Sequence, residues 1–222
     1  MNARSSVRYV SYQQSVSVLT DSYRRLDAVS EEYELSPAEN YLIDLSEREA
    51  ANSVGVLNAL EGGEEASSPE DESGLQSTVI TDEILAISSD LDGRWRGALF
   101  ALSPLNPEAA RHFCTSVREI FAEIINQSAP DELVRQEVPD FEVTSQGSVT
   151  RRSKMVYLLG KKGIENEELA SFASDNIDNI VELFKALNSG THGASGYHDA
   201  GALMQIKRRV EDGLLFLCQI AV

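Results

Sequence analysis

The sequence predicts an all-α protein, in which an antiparallel bundle of about five or six helices follows an N-terminal helical hairpin. Apolar residues recur along the long segments at the i, i+3, i+4, i+7 spacing of one buried helical face, whereas the period-two alternation of strands is almost absent. Two segments also begin with helix-start signals, Ser36-Pro37 and Asn106-Pro107. Helices joined by short connections pack as antiparallel neighbours, which gives the expected bundle.

The N-terminal region predicts two helices, from residue 7 to about 30 and from residue 37 to about 60. Ser36 is the expected N-cap of the second helix, and Pro37 is its first residue. Because a hairpin of this size is too small to hold an enzyme core, we expect residues 1–60 to form an appendage for docking or oligomerisation.

A run of acidic residues follows the hairpin. Residues 61–74 contain six acids, no base and no large apolar side chain. This composition is typical of a flexible linker, because it buries too little apolar surface to order the chain. The predicted organisation is therefore an appendage at 1–60, an acidic linker at 61–75 and a helical-bundle domain at 76–222.

The bundle domain contains the strongest helical patterns. Helices are predicted at residues 82–89, 91–102, from 106 onward, at about 150–161, from 174 to about 188, and from about 199 to the C-terminus. Residues 127–149 are predicted as a long connection with a short helical or strand-like piece. The clearest apolar stripe consists of Ala110, Phe113, Cys114, Val117, Phe121 and Ile124. These stripes are expected to form the core, together with Trp95.

Basic residues stand out in two places. Arg111 and Arg118 are seven residues apart and share a line at the edge of the apolar stripe, whereas His112 is expected to point outward. Residues 150–162 hold five bases and no acid: Arg151, Arg152, Lys154, Lys161 and Lys162. Such a patch suits phosphate binding, but it equally suits a solvated helix face that balances an acidic protein.

The overall composition limits the classes of partner. A formal net charge of −17 opposes any general attraction to nucleic acid or to an anionic membrane. Without a bilayer-length apolar run or a signal-peptide core, the expected location is cytoplasmic, with no membrane contact. Cys114 and Cys218 fall among apolar helical positions and are expected to be reduced core residues. The Cys and His residues lack metal-ligand spacing, so neither a metal site nor a cofactor is predicted.

One histidine lies where chemistry is most expected. His192 stands between Gly190 and Gly193, after one periodic helix ends and before the next begins. Glycines at a helix end permit the backbone geometry that presents a side chain to a ligand. The alternative is a C-cap glycine followed by a solvated loop histidine.

Several runs carry a resemblance to a known family. The chain from about Asp90 to the C-terminus is similar to the predicted pPIWI-associating nuclease domains of bacteria. The runs that carry the similarity are residues 94–104, 106–120, 150–154, 188–193 and 209–213. The resemblance implies a nuclease-type effector of a prokaryotic conflict system, which counters phage or other invading nucleic acid.

A broader resemblance implies a mechanism. Residues 188–192 look like a degenerate form of the motif of HEPN helical bundles, in which Arg or Asn is followed by His at a helix end. Here the usual Arg is absent and the spacing is short. Many HEPN proteins are metal-independent RNases whose sites form between two protomers, so the resemblance implies a HEPN-like bundle and a homodimer.

The hypothesis of an RNase assigns chemical roles to the candidate site residues. His192 is the expected general base or acid for attack of a ribose 2′-hydroxyl on the adjacent phosphodiester. Arg118 or Arg111 would stabilise the transition-state charge, and Asn188 would orient His192 or the phosphate. Arg151, Arg152 and Lys154 would hold the flanking backbone.

Two other functions remain open. A metal-dependent DNase would need clustered carboxylates for magnesium, and no Asp/Glu-x-Lys element follows a strand signal. A non-catalytic immunity, sensor or adaptor subunit of a defence system would suit the charge of −17, because an acidic surface excludes or mimics nucleic acid. The partners considered are thus RNA or DNA, a second copy of the chain and a protein of the same defence system.

Overall fold

The computed structural model describes residues 3–31, 34–61, 74–103, 105–189 and 198–222, with the backbone alone at 3–9, 188 and 189. All regular elements in these ranges are helices, which confirms the all-α prediction. In chain order they are α1 Ala3–Ser30, α2 Pro37–Leu60, α3 Thr81–Ile87, α4 Ser89–Ala101, α5 Ala109–Ser128, α6 Asp131–Glu137, α7 Arg151–Lys161, α8 Glu167–Ser189 and α9 Ala200–Ala221. The connection before α7 adds an isolated antiparallel bridge between Val143 and Val149.

Side-chain caps set several helix starts. At α2, Ser36 Oγ accepts a hydrogen bond from Glu39 N, and the Glu39 carboxylate accepts one from Ser36 N, at 3.2 and 2.9 Å. This reciprocal pair satisfies two amide donors that the helix leaves free. Asn106 was predicted to cap α5 directly, but the helix begins later than predicted, because residues 107 and 108 form a turn before it. Asn106 Oδ1 accepts from Glu108 N within that turn, at 3.1 Å.

Helix α8 starts earlier than the sequence predicts, whereas the connection before α7 contains the short helical piece that the sequence left open. Helix α8 begins at Glu167, seven residues before the expected start, and Asn166 Oδ1 accepts from Leu169 N at 3.0 Å in its first turn. The predicted connection at 127–149 contains α6, whose carboxylates Asp131 and Glu132 lie in its first turn. Acids at a helix N-terminus interact favourably with the helix dipole, which helps so short a helix to form.

Helix α8 lies at the centre of the bundle. It packs against α1, α2, α5, α7 and α9, while α2 packs mainly on α9 and α4 on α5. The ring of Tyr23 in α1 lies 6.5 Å from that of Phe172 in α8, and Asn179 Nδ2 donates to Ser15 Oγ at 3.0 Å. Residue numbers thus rise along α1 as they fall along α8, so the two helices are antiparallel.

The hairpin of α1 and α2 shares the main core. Tyr12 and Leu19 of α1 and Leu45 and Val56 of α2 are buried in the same apolar cluster as the bundle helices. The predicted linker at 61–75 lies outside the described residues apart from its ends. The division into appendage and bundle stays a prediction, and the described contacts show that the hairpin is packed against α8 and α9.

The core predictions are confirmed in detail. All six residues of the predicted α5 stripe are buried, and Trp95 has no exposed surface. Cys114 and Cys218 are both buried free thiols. Burial raises the pKa of the Cys218 thiol to about 12 and that of Cys114 still further, so neither is a thiolate at neutral pH. In the described ranges, no helix combines the length and apolar character needed to cross a bilayer.

Candidate functional site

The outer face of α5 carries a polar surface pocket near the start of the helix. Its lining consists of Arg111, His112, Thr115, Ser116 and Arg118. Arg111 is paired with Glu108, at 2.8 Å between Nε and Oε2. Arg118 is exposed and has no side-chain hydrogen bond or ion pair among the described residues. Arg118 is therefore the cation of this pocket that is most accessible to an anion.

His112 is the residue of this pocket to which the sequence assigned no role. It is exposed, as expected, and it lines the same opening as Arg118. Thr115 lies three residues after His112 and three before Arg118, so it bridges the two along the helix surface. The spacing of His112, Thr115 and Arg118 was the sequence signal that could have identified this pocket, but such spacing is also common on solvated helix faces.

A second pocket forms where α7 begins. It brings together all three cations predicted to hold the nucleic-acid backbone, Arg151, Arg152 and Lys154. The other side is formed by Asn126 of α5 and by Ser174 and Asp178 of α8, among others. Arg151 forms an ion pair with Asp178, so α7 is tied to α8 at this point.

Lys154 lies deeper in the second pocket than the two arginines. Its side chain is almost buried, with Nζ 2.8 Å from Asp131 Oδ1 and 3.2 Å from Asn126 Oδ1. The other oxygen of Asp131 accepts from Val149 N at 2.8 Å. The hydrogen bond from Lys154 and that from Val149 lower the pKa of Asp131. Lys154 therefore joins the end of α5, the start of α6 and the entry to α7.

Arg152 is the accessible cation of the second pocket. Its side chain is exposed and makes no hydrogen bond or ion pair in the described part of the chain, although its charge acts on the nearby Asp175. The first turn of α7 contains no acid. Cations at a helix N-terminus interact unfavourably with the helix dipole, and an anion bound there would relieve that repulsion.

Of the three predicted catalytic residues, the structure describes the side chain of Arg118 only. His192 and the side chain of Asn188 lie outside the described residues. The backbone of α8 nevertheless gives the level of residue 188. The rings of Phe121 in α5 and Phe184 in α8 are 6.3 Å apart, and the two helices are antiparallel. Residue 188 is therefore level with about residue 117 of α5, next to Arg118.

The run at residues 209–213 has a structural explanation. Asp212 accepts hydrogen bonds from Arg48 at 2.6 Å and from Asn52 at 2.7 Å, both in α2. Glu211 pairs with Lys207 at 2.8 Å and accepts from Thr78 Oγ1 at 2.5 Å. These contacts attach α9 to α2 and to the segment before α3.

Arg209 is the centre of a buried polar network. It forms an ion pair with Glu49 of α2, and both side chains have no exposed surface. Its Nη2 also donates to Asn176 Oδ1 at 2.6 Å and to Asn179 Oδ1 at 2.9 Å, both in α8. Burial raises the pKa of Glu49 to about 7, and the charge of Arg209 opposes that shift. Arg209 thus joins three helices and is not accessible to a substrate.

Gly213 lies where α9 packs closely on α8 and α2. A β-carbon at this position would clash with Ile180 Cδ1 and would lie 3.2 Å from Glu49 Oε2. Any larger residue would force the Ile180 side chain to shift, which favours glycine in the middle of α9 despite its low helix propensity. Within the described ranges, no group of three or more His, Cys, Asp or Glu side chains is arranged to hold a metal ion.

The fold and its two basic pockets define an all-α protein with accessible arginines at two surface openings. The chain belongs to the family of predicted pPIWI-associating nucleases, whose family model matches residues 85–217. This match confirms the family resemblance found in the sequence and gives the chain a predicted nuclease domain. No curated protein and no solved structure matches the chain.

Proposed function

We propose that this protein cleaves RNA without a metal ion, using His192 and Arg118. The observation that carries the proposal is the position of Arg118, which is exposed and unpaired among the described residues and is level with the end of α8. The chain continues from that end into the segment that contains His192. A phosphodiester bound at Arg118 would therefore lie near the end of α8, and the proposed acid or base follows that end in the sequence.

The proposed reaction is transfer within the RNA backbone. The ribose 2′-oxygen attacks the adjacent phosphorus, the bond from phosphorus to the 5′-oxygen breaks, and a 2′,3′-cyclic phosphate forms. His192 accepts the 2′-hydroxyl proton while water protonates the leaving 5′-oxygen, or it donates a proton to that oxygen while water takes up the 2′-hydroxyl proton. Arg118 stabilises the charge that develops on the phosphoryl oxygens. Asn188 orients His192 or the scissile phosphate.

The remaining cations are proposed to hold the strand. Arg151 and Arg152 lie at the second pocket, where they can contact phosphates that flank the cleaved bond. Arg111 is assigned the same role beside Arg118. Lys154 contributes by fixing the pocket through Asp131 and Asn126.

The biological setting is also a proposal. Membership of a family of predicted pPIWI-associating nucleases supports an effector role in a prokaryotic anti-phage system. We propose that the protein acts in the cytoplasm as a HEPN-like homodimer, with a partner protein of the same system controlling its activity. A dimer would allow Arg118 of one copy to act with His192 of the other.

The proposal is tested by cleavage of labelled single-stranded RNA and DNA, with and without EDTA. The variants are Arg118→Ala and His192→Ala. The control is Arg94→Ala, an exposed arginine of α4 paired with Asp90. We expect EDTA-resistant RNA cleavage to a cyclic phosphate, with each site variant slowed about 100-fold or more and the control unchanged. EDTA-sensitive DNA cleavage that does not need His192 would instead support the metal-dependent DNase.

A non-catalytic function is the second candidate, and the net charge of −17 favours it. Such a charge repels nucleic acid everywhere except at local cationic pockets. In that case the protein would be a sensor, adaptor or immunity subunit. Absence of cleavage of both substrates, together with a stable complex with a protein of the same system, would support this candidate over the RNase.

A further inference from the structure

The two basic pockets lie on one face of α5. The row of residues that connects them has spacings of four, three, four and four: Arg111, Thr115, Arg118, Ala122 and Asn126. Residues with these spacings lie one above another on a helix. All five are exposed. The first three line the pocket at Arg118, and the last two line the pocket at Arg152.

A row of residues on α8 begins at the pocket shared with α5. Ser174 and Asp178 line the pocket at Arg152, and Val181 and Lys185 continue their row toward the end of α8. Val181 is half-buried and Lys185 is exposed. Phe121 and Phe184 pack between the two helices and form the floor. The two rows lie on the same side of this contact, and we call the strip of surface between them the α5–α8 groove.

Charge within the groove is positive at both ends. Arg118 and Arg152 are unpaired among the described residues, whereas Lys185 is paired with Glu182 at 2.6 Å. Asp178 lies within the groove and is paired with Arg151, and Glu119 and Glu123 lie outside it on the neighbouring surface of α5. The favourable strip is therefore narrow, because a broad ligand with negative charge would meet these carboxylates.

We propose that the α5–α8 groove is a continuous binding track for a single strand of nucleic acid. This proposal rests on the proposed function, since it names the form of the substrate and the path that the strand takes across the protein surface. Arg118 contacts phosphates at one end and Arg152 contacts them at the other. The row from Arg111 to Asn126 covers 16 residues, or about 22 Å of helix, which is enough for several nucleotides. A duplex would bring its second strand against Glu119 and Glu123.

The test measures binding of the full-length protein to fluorescent 2′-O-methyl oligouridine, which cannot undergo 2′-hydroxyl attack. Oligomers of about four and about twelve nucleotides are compared over a range of salt concentrations. The variants are Arg118→Ala, Arg152→Ala and the double variant, with Arg94→Ala as the matched control. For the longer oligomer, we expect the slope of log K against log salt to fall by about 0.7 for each groove arginine removed.

The short oligomer separates one track from two independent sites. It can occupy either end, so each single variant keeps its salt slope and only the double variant loses binding. If the longer oligomer behaves like the short one, the two pockets are separate and the track is wrong. The track would also be wrong if Arg118→Ala, Arg152→Ala and the control Arg94→Ala gave equal salt slopes. Equal affinity for a duplex of the same length would overturn it as well.

Failure of the cleavage proposal would be visible separately. A protein that binds the longer oligomer as expected but does not cut RNA would retain the track and lose the proposed chemistry. Conversely, EDTA-resistant cleavage with a binding slope unaffected by Arg152→Ala would retain the chemistry and reject the track. Circular dichroism of each variant confirms that the surface substitutions leave the fold intact.

Discussion

Arg209 of α9 and Glu49 of α2 form an ion pair from which solvent is fully excluded. Arg209 lies inside the residues that match the nuclease family, whereas Glu49 precedes them by more than thirty residues. The N-terminal hairpin thus provides the counter-charge for a buried cation of the family domain. Removal of a partner from a buried pair leaves an uncompensated charge, which is strongly destabilising.

Replacement of Arg209 should therefore cost far more stability than replacement of a neighbouring surface arginine. We expect Arg209→Met to lower the free energy of unfolding by about 3 to 5 kcal/mol, because Glu49 and two asparagines lose their partner. Arg48→Met, at an arginine half exposed and paired with Asp212, should cost less than about 1 kcal/mol. Urea unfolding followed by the fluorescence of Trp95, the single tryptophan, measures both. Similar losses would contradict the assigned role of the pair.

The raised pKa of Glu49 predicts a pH dependence of stability. The folded-state pKa is about 7 and the ordinary value is 4.5, so the folded state binds the proton more tightly than the unfolded state. The stability that this carboxyl contributes is present below pH 4.5 and is lost as pH rises through 7. The unfolding free energy of the native protein should therefore fall, relative to Glu49→Gln, between pH 5 and 7.5. Parallel curves for the two proteins would show that Glu49 does not titrate there.

Gly213 and Gly97 should respond in opposite directions to alanine. At Gly213 the new methyl group would press on Ile180 and the Glu49 carboxylate, so we expect a loss of about 1 to 3 kcal/mol. At Gly97 in α4 a β-carbon meets no atom within 4 Å, and alanine should stabilise the helix by about 0.5 to 1 kcal/mol. Thermal melting of the two variants gives both signs, and a neutral Gly213→Ala would disprove the close approach.

Thr78 should act as a hydrogen-bonding centre for two buried groups. Its hydroxyl accepts from Trp95 Nε1 at 3.0 Å and donates to Glu211 Oε1 at 2.5 Å. Thr78→Val keeps the shape but leaves both partners without that hydroxyl, so a loss of about 1 to 3 kcal/mol is expected. Thr78→Ser keeps the hydroxyl and should retain most of the stability in the same unfolding assay. A serine variant as unstable as the valine variant would show that packing of the methyl group is the main contribution.

Helix positions and the apolar core were predictable because both depend on local pattern. The stripe from Ala110 to Ile124, the burial of Trp95 and the cap at Ser36 follow from helical spacing and from the amide donors that helix ends leave free. The start of α8 was placed too late, although Glu167 and Glu168 are helix-start signals and Leu169 and Phe172 continue the apolar face.

The buried charges were not predictable in the same way. Arg209, Glu49 and Lys207 look like ordinary solvated helix residues, since their burial depends on partners far away in the chain. Gly213 was the one local signal, because a glycine inside a strong helical pattern often marks a close approach. For the candidate site, the grouping of Arg151, Arg152 and Lys154 was predictable from their spacing. Which of these cations is paired and which is accessible depends on Asp131 and Asp178, and only the fold brings these two acids near them.

The contact of the hairpin with α9 determines where the polypeptide can be truncated. A polypeptide cut at the limits of the family match would keep Arg209 and Asp212 and would lose Glu49, Arg48 and Asn52. On folding, this polypeptide would bury Arg209 in its interior without an acid to pair with it. The smallest segment that can be transplanted into another protein with its interior complete therefore begins before the match, at the N-terminal helices.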